Sequence, residues 1–396
     1  MKITKWLLAS LCLAAALCAG RCAAEDPLVP PPILRPVPEK YADSQRRWQG
    51  IPSLEATSDS RIWICWYSGG RTEDEENYIL LVTSSDRGET WSKPIFAIDP
   101  PGMVRAFDAS MWLDPNGRFW LFWSQGEQDY SGEKREWDGR VGVWAITTDN
   151  PEAGEDAVWS EPRRICDGIM MCKPIVDSRG RYLLPVSIWR ISGKYQHLVP
   201  PERIGASLWC SEDQGKTFSF LGRSWADKEV SEYDEHNIVE MKDGSFKMFA
   251  RTKYGIGESV SRDGGLTWPD LTPSPIKHTS SRFFVRRLRS GRLILVKNGP
   301  IDSDVGRSRM MAFLSDDDGA TWSDGLVIDE RVNVSYPDGN QTEDGTIFLT
   351  YDHDRYGERE IMAARITEED ILAGEIVTEG SKLKIRVNQA TGERSW

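Results

Sequence analysis

The chain has 396 residues, with 61 acidic against 49 basic side chains and a formal net charge of −12. No run of Lys or Arg stands out, which argues against nucleic acid as a partner, and any anionic ligand has to be held by a local arginine cluster rather than by the field of the whole molecule. Seventeen Trp ask for many similar packing slots or for a sugar surface, because indole rings fill gaps between sheets and stack on sugar faces.

The chain begins MKITKWLLASLCLAAALCAGRCAAEDP. Lys2 and Lys5 precede an apolar stretch from Trp6 to about Ala19, and Ala24 offers a cleavage point. Residues 1–24 therefore read as a secretory signal, short for a membrane span. Leu17 before Cys18 and Arg21 before Cys22 are not the small residues expected ahead of a lipoprotein cysteine. The expectation is an exported protein, periplasmic or extracellular, with no membrane span. Cys65, Cys166, Cys172 and Cys210 lie beyond the signal and read as small buried strand residues. Export permits a disulfide, with Cys166 and Cys172 the nearest pair, and no metal-type C-x-x-C spacing is present. Residues 25–45 (PLVPPPILRPVPEK and its flanks) read as a proline-rich extended arm, followed by one domain over residues 46–396.

From there the chain repeats. A turn with Gly or Ser beside Asp, Asn or Arg precedes an aromatic or aliphatic run six times: SDSRIWICWYS, DPNGRFWLFWS, DSRGRYLLPVS, KDGSFKMFAR, RSGRLILVKN and EDGTIFLTYD. The turn positions Ser60, Gly117, Gly180, Gly244, Gly291 and Gly345 are 47 to 64 residues apart. Strand-only content at that period predicts an all-β, six-bladed β-propeller.

A second repeat, S-x-D-x-G-x-T-W, stands at Ser84–Trp91, Ser261–Trp268 and Ser315–Trp322, with a variant at Ser211–Phe218. Asp accepts local backbone hydrogen bonds, Gly supplies positive φ, and the aromatic plugs the blade's outer edge. These four boxes fall on blades 1, 3, 4 and 5; Thr147–Trp159 is a lengthened or degenerate version on blade 2. ARITEEDILAG predicts one short helix with Thr367 as N-cap and Asp370 three residues on. Lys382–Asn388 alternates like a strand and is expected to close the ring with the first blade.

Four such Asp boxes on a six-fold hairpin repeat resemble the sialidase-like six-bladed propellers, over roughly residues 45–390. The boxes speak for the fold and only weakly for function. The resemblance implies an exported exo-α-sialidase, a glycoside hydrolase releasing terminal sialic acid from glycoconjugates without a cofactor or metal. Residue by residue, DEHNIVEMKDG followed by an arginine fits the family's segment, with Glu235 and Arg251 in those places. GRSRMMAFLSDDDGATW supplies Arg307 or Arg309. Tyr336 stands where the family has its tyrosine, and Asp352 is the nearest acidic residue to support an arginine. Two positions depart. The family's R-I-P appears as Q-G-I-P, with Gly50 in the arginine's place, so Arg47, Arg46 or Gln49 is expected to reach the site. Thr72 aligns with the acid/base aspartate, and the adjacent Glu73, then Asp74, are the expected acids.

In the implied chemistry a tyrosine attacks because the substrate carboxylate repels an anionic nucleophile. Tyr336 is then the nucleophile, Glu235 its base, Glu73 or Asp74 the acid/base, and Arg251 with Arg307 or Arg309 grips the carboxylate through planar forks. The implied outcome is retention. Further contacts are expected from His236, Asp338, Arg282, Arg105 and Asp108. Each has a plain structural alternative: Glu235 a solvated loop residue, Arg251 a partner for Asp234 or Glu258, Tyr336 a core aromatic, the TEDEE run a solvated acidic loop. A glycosidase for another sugar and a non-catalytic glycan-binding propeller stand as alternatives.

Overall fold

A computed structural model describes residues 26–129, 136–137, 139–190 and 196–393; the signal reading falls outside them. Six antiparallel sheets follow one another along the chain. From the inner to the outer strand, blade 1 is Gln49–Ala56, Ile62–Ser68, Tyr78–Ser84 and Phe96–Ile98. Blade 2 is Val104–Leu113, Phe119–Asp129, Gly142–Thr148 and Arg163–Asp167. Blade 3 is Ile175–Val176, Tyr182–Ile188, Gly205–Ser211 and Ser219–Ser224. Blade 4 is Ser231–Glu240, Phe246–Thr252, Gly255–Ser261 and Thr272–Pro273. Blade 5 is Phe284–Arg287, Leu293–Asn298, Ser308–Ser315 and Leu326–Val332. Blade 6 is Val334–Gln341, Ile347–His353, Glu360–Ile366 and Lys382–Gln389. The sheets stand around a common axis as a six-bladed propeller.

The second strands are buried at every position in blades 1, 3 and 6. Each is covered on both faces by neighbouring blades, so it reads as a continuous apolar run rather than a two-residue alternation. The core is accordingly divided among clusters lying between blades. Trp63, Phe119 and Trp123 share one of them, and Tyr182, Trp120 and Trp209 another. Cys65, Cys166, Cys172 and Cys210 are free and buried in these layers, so Cys166 and Cys172 form no disulfide.

The Asp boxes are one structure made four times. In the first, Ser84 Oγ donates to Asp86 Oδ1 at 2.7 Å, Gly88 N donates to Ser84 Oγ at 2.9 Å, and Thr90 N donates to Asp86 Oδ1 at 2.9 Å. Asp213, Asp263 and Asp317 repeat these bonds. Blade 2 has a 3-10 turn, Pro151–Asp156, in the corresponding connection. Blade 6 has the helix Glu368–Ala373 there, capped by Thr367 and Asp370 as expected.

The ring closes differently from the expectation. Lys382–Gln389 pairs with Glu360–Ile366 inside blade 6. Blade 1 has no vacancy for it: Phe96–Ile98 fills the fourth position, and Ile33–Leu34 of the proline-rich arm adds a fifth strand outside that. Side chains and loops hold the seam instead. Ile51 N donates to Asp352 Oδ2 at 2.8 Å, and Thr391 N and Gly392 N donate to Asp43 O and Arg46 O.

Candidate active site

The inner strands of blades 1, 2, 4 and 6 each break register once, between Gly50 and Ser53, Phe107 and Ser110, Ser231 and His236, and Ser335 and Asp338. At each break one residue sits at positive φ: Ile51 at 57°, Asp108 at 48°, Asp234 at 51° and Tyr336 at 56°. Such bulges re-aim side chains, and non-glycine residues at these angles cost on the order of 1–3 kcal/mol each. Four in register around one axis mark the place where the fold has spent stability on something else.

Tyr336 is delivered by the bulge of blade 6 and is 4% exposed. Its phenol oxygen accepts from Arg251 Nη1 at 2.9 Å. The same nitrogen donates to Glu235 Oε1 at 2.9 Å, while Arg251 Nε donates to Ser280 Oγ. Glu235 follows the bulge residue of blade 4, and Arg251 lies on the next strand of that blade. Glu235 Oε2 is buried without a hydrogen-bond partner, an unspent acceptor beside the phenol. Burial pushes the Tyr336 hydroxyl up to about 12, against the pull of Arg251.

Three more guanidiniums face the Tyr336 ring, Arg307 at 5.2 Å, Arg355 at 4.9 Å and Arg282 at 5.5 Å from its centroid. Arg355 Nη1 donates to Glu73 Oε1 at 3.0 Å, and its Nε lies 3.6 Å from Asp352 Oδ2. Two carboxyls near this cluster diverge in character. Burial raises Glu73, but Arg355, Arg105, Arg307 and Arg251 outweigh it and hold it below the ordinary glutamate value. Burial, then the charges of Glu235 and Glu73, push Asp108 up to about 8 against Arg105 and Arg282. Arg105 lies over the Phe107 ring at 4.3 Å. The Glu73 loop is docked on the strand that carries Asp108, through Ala106 N to Asn77 O at 3.0 Å and Asn77 Nδ2 to Thr72 O at 2.9 Å. Tyr233, 39% exposed, forms a rim, 4.6 Å over Arg251 and 5.1 Å from Trp189.

The fold thus gathers Tyr336, Glu235, Arg251, Arg307, Glu73, Asp108 and Arg105 around one centre. Other expected residues are engaged elsewhere. The Asp74 carboxylate caps its own loop, accepting from Arg71 N, Thr72 N and Glu76 N, and is engaged there rather than with the arginines around Tyr336. Arg309 is exposed, while Arg307 is the arginine that overlies Tyr336. Asp338 lies further along its strand, bound by Ser53 Oγ, Leu54 N and Lys173. Both ring nitrogens of His236 face backbone carbonyls, those of Asp234 and Ser207, and burial lowers it to about 4. Arg282 supports the bulge by donating to Met171 O, Pro52 O and Tyr336 O. Gln49 Nε2 donates to Arg359 O, and Arg47 pairs with Glu76 at 3.4 Å. Arg46 is bound to Tyr41 O and Asp43. Of these side chains only Arg282 lies against Tyr336, and its Nη donors are turned to backbone carbonyls. Arg355 was not foreseen; its signal is the spacing Asp352-x-x-Arg355 beside the expected supporting acid. Among the described residues, no group of three His, Cys, Asp or Glu is placed to hold a metal, and no helix is long and apolar enough to cross a membrane.

The profile of the BNR_2 family, described as a BNR repeat-like domain, matches residues 61–349. The chain belongs to this family. The BNR match runs from blade 1 into the second strand of blade 6 and so includes the Asp boxes, Glu235, Arg251 and Tyr336. No curated protein matches the sequence. Among solved structures, the NanB sialidase of Streptococcus pneumoniae aligns with a TM-score of 0.60 at 16% identity, over 83% of this chain and 70% of its own. The leech intramolecular trans-sialidase aligns with 0.60 at 16%, over 84% and 70%. An α-L-arabinofuranosidase of Fusarium graminearum aligns with 0.56 at 12%, over 85% and 97%. The BNR propeller therefore shares its fold with glycoside hydrolases of more than one sugar specificity.

Proposed function

We propose that this BNR propeller is an exported exo-acting glycoside hydrolase that removes terminal sialic acid from glycoconjugates. The observation that carries the reading is Arg251 Nη1, which holds the Tyr336 phenol and the Glu235 carboxylate at 2.9 Å each. A protonated phenol attacks a centre flanked by a carboxylate without bringing full negative charge, and it needs a base at hand. As the Tyr336 oxygen bonds to the anomeric carbon, its proton passes to Glu235, whose Oε2 is unspent. The bond to the leaving oxygen breaks as a carboxylic acid protonates that oxygen. Asp108 suits this role better than Glu73: it is held protonated near neutral pH, whereas the arginines keep Glu73 ionised. Water then enters with Asp108 as base, the anomeric carbon–Tyr336 bond breaks, and Glu235 returns the proton to the phenol. The product retains its anomeric configuration.

The test is incubation with sialyllactose of α2,3 and α2,6 linkage, with proton NMR of the first anomer released. Absence of free sialic acid from both sinks the reading, and an inverted first product removes Tyr336 as nucleophile. A second reading, hydrolysis of a different sugar, draws on the fold shared with the arabinofuranosidase and on Gly50. Release of a neutral sugar from a glycan panel, with sialosides untouched, would select it.

A further inference from the structure

Gly50 is not glycine for the sake of its backbone, since its φ lies outside the left-handed region that favours glycine. It is glycine for space. A Cβ there would overlap Cδ of Arg355, come to 2.6 Å from Cγ and lie 3.1 Å from Asp352 Oδ2. The stem of Arg355 passes through the volume that a side chain on the first inner strand would fill. It enters from the opposite side of the seam, from the turn after the second strand of blade 6. That turn is rigid: Gly357 N and Arg359 N both donate to Asp354 O at 2.8 Å, and Asp354 N donates to Asn333 O.

We infer that Arg355 is a substrate-binding arginine, the third arm with Arg251 and Arg307 of a clamp for the sugar carboxylate, carried on blade 6 in the space that Gly50 leaves on blade 1. This rests on the carboxylate reading of the site given above.

Each of the three guanidiniums keeps donors to spare. Arg251 uses Nη1 and Nε, and Arg355 uses Nη1 on Glu73 with Nε near Asp352. In both, Nη2 has no hydrogen bond to a described residue, and the Arg307 guanidinium makes none. Arg307 and Arg355 each lie about 5 Å from the Tyr336 ring, with Arg251 on its oxygen. An anionic group bound next to the carbon that Tyr336 attacks therefore meets all three. Glu73 and Asp352 hold the fork of Arg355 in place, which leaves less conformational freedom to lose when a planar carboxylate docks.

The alternative role for Arg355 is a structural tie across the seam. Two ligands separate the roles: sialic acid and its methyl ester, equal in shape and different in charge. Binding is measured by calorimetry for the parent, Arg355→Ala, Gly50→Ala, the Gly50→Ala/Arg355→Ala pair and the transplant Gly50→Arg/Arg355→Ala. Arg355→Ala should weaken the acid about 10- to 100-fold, the ordinary worth of a charge-assisted pair, and leave the ester within about threefold. Gly50→Ala should weaken the acid when Arg355 is present, by displacing it, and add no loss once Arg355 is gone. The transplant should regain part of the acid affinity. A parent protein that binds acid and ester alike overturns the carboxylate reading and this inference with it. A parent that prefers the acid, with Arg355→Ala losing acid and ester equally or neither, overturns this inference alone.

Discussion

Two backbone devices recur around this ring, and they have opposite characters. The Asp box is repeated with its side chains: serine, aspartate, glycine and threonine make the same bonds on four blades, and the aspartate oxygens are engaged by the box's own serine and threonine. Its aspartates are held low by their own threonine and serine, Asp213 and Asp317 at about 2. The inner-strand bulge is repeated in backbone only. Ile51, Asp108, Asp234 and Tyr336 share a φ near 50° without a common side-chain pattern, and their surroundings keep unspent atoms such as Glu235 Oε2. A device copied with its side chains builds the scaffold; a device copied without them offers positions on which a site can be composed.

That contrast can be broken by substitution. The largest effect is expected for Tyr336→Phe, a loss in kcat of about 10³–10⁴-fold with ligand affinity kept, checked by steady-state rates beside calorimetry. Glu235→Gln should follow at about 10²–10⁴-fold, since the phenol loses its base. Asp108→Asn keeps a side chain that tolerates positive φ. It should cost about 10²–10⁴-fold on substrates with poor leaving groups and little on an activated aryl glycoside, and the basic limb of kcat/KM should move. The same variant carries a stability signature. The folded state holds the Asp108 proton up to pH about 8, while the unfolded chain releases it near 4. Folding therefore binds more protons between those values, and stability contributed by this group falls as pH rises through that window. Asp108→Asn should gain melting temperature over the parent at pH 8 and not at pH 4. The smallest effect is expected for Asp263→Ala, a few degrees in melting temperature with kcat/KM unchanged. Equal loss of activity from a box and from a bulge would dissolve the distinction.

The same contrast explains how much could be read in advance. Each Asp box is closed within eight residues, and the Glu235–Arg251 pair spans one hairpin, so linear spacing displays both. The turn after the second strand of blade 6 meets Gly50 across a seam some 300 residues wide in the chain, and no local pattern announces that Arg355 fills the space. Asp74 and Glu73 are adjacent in an acidic run. Only the folded loop shows that one carboxylate bonds its own backbone while the other faces the arginines. His236 adjoins Glu235, and strand geometry sends neighbours to opposite faces; Asp338 lies two residues past Tyr336, and the bulge between Ser335 and Asp338 separates the two side chains.

The closure of the ring within blade 6 sets an order in time. Every blade is a contiguous stretch, and the last one made carries Tyr336 and Arg355. A nascent chain that ends between Arg251 and Val334 already holds Glu73, Asp108, Glu235 and Arg251 and still lacks Tyr336. Under the proposed function, turnover requires that blade 6 has docked against blade 1, so activity would report on that docking.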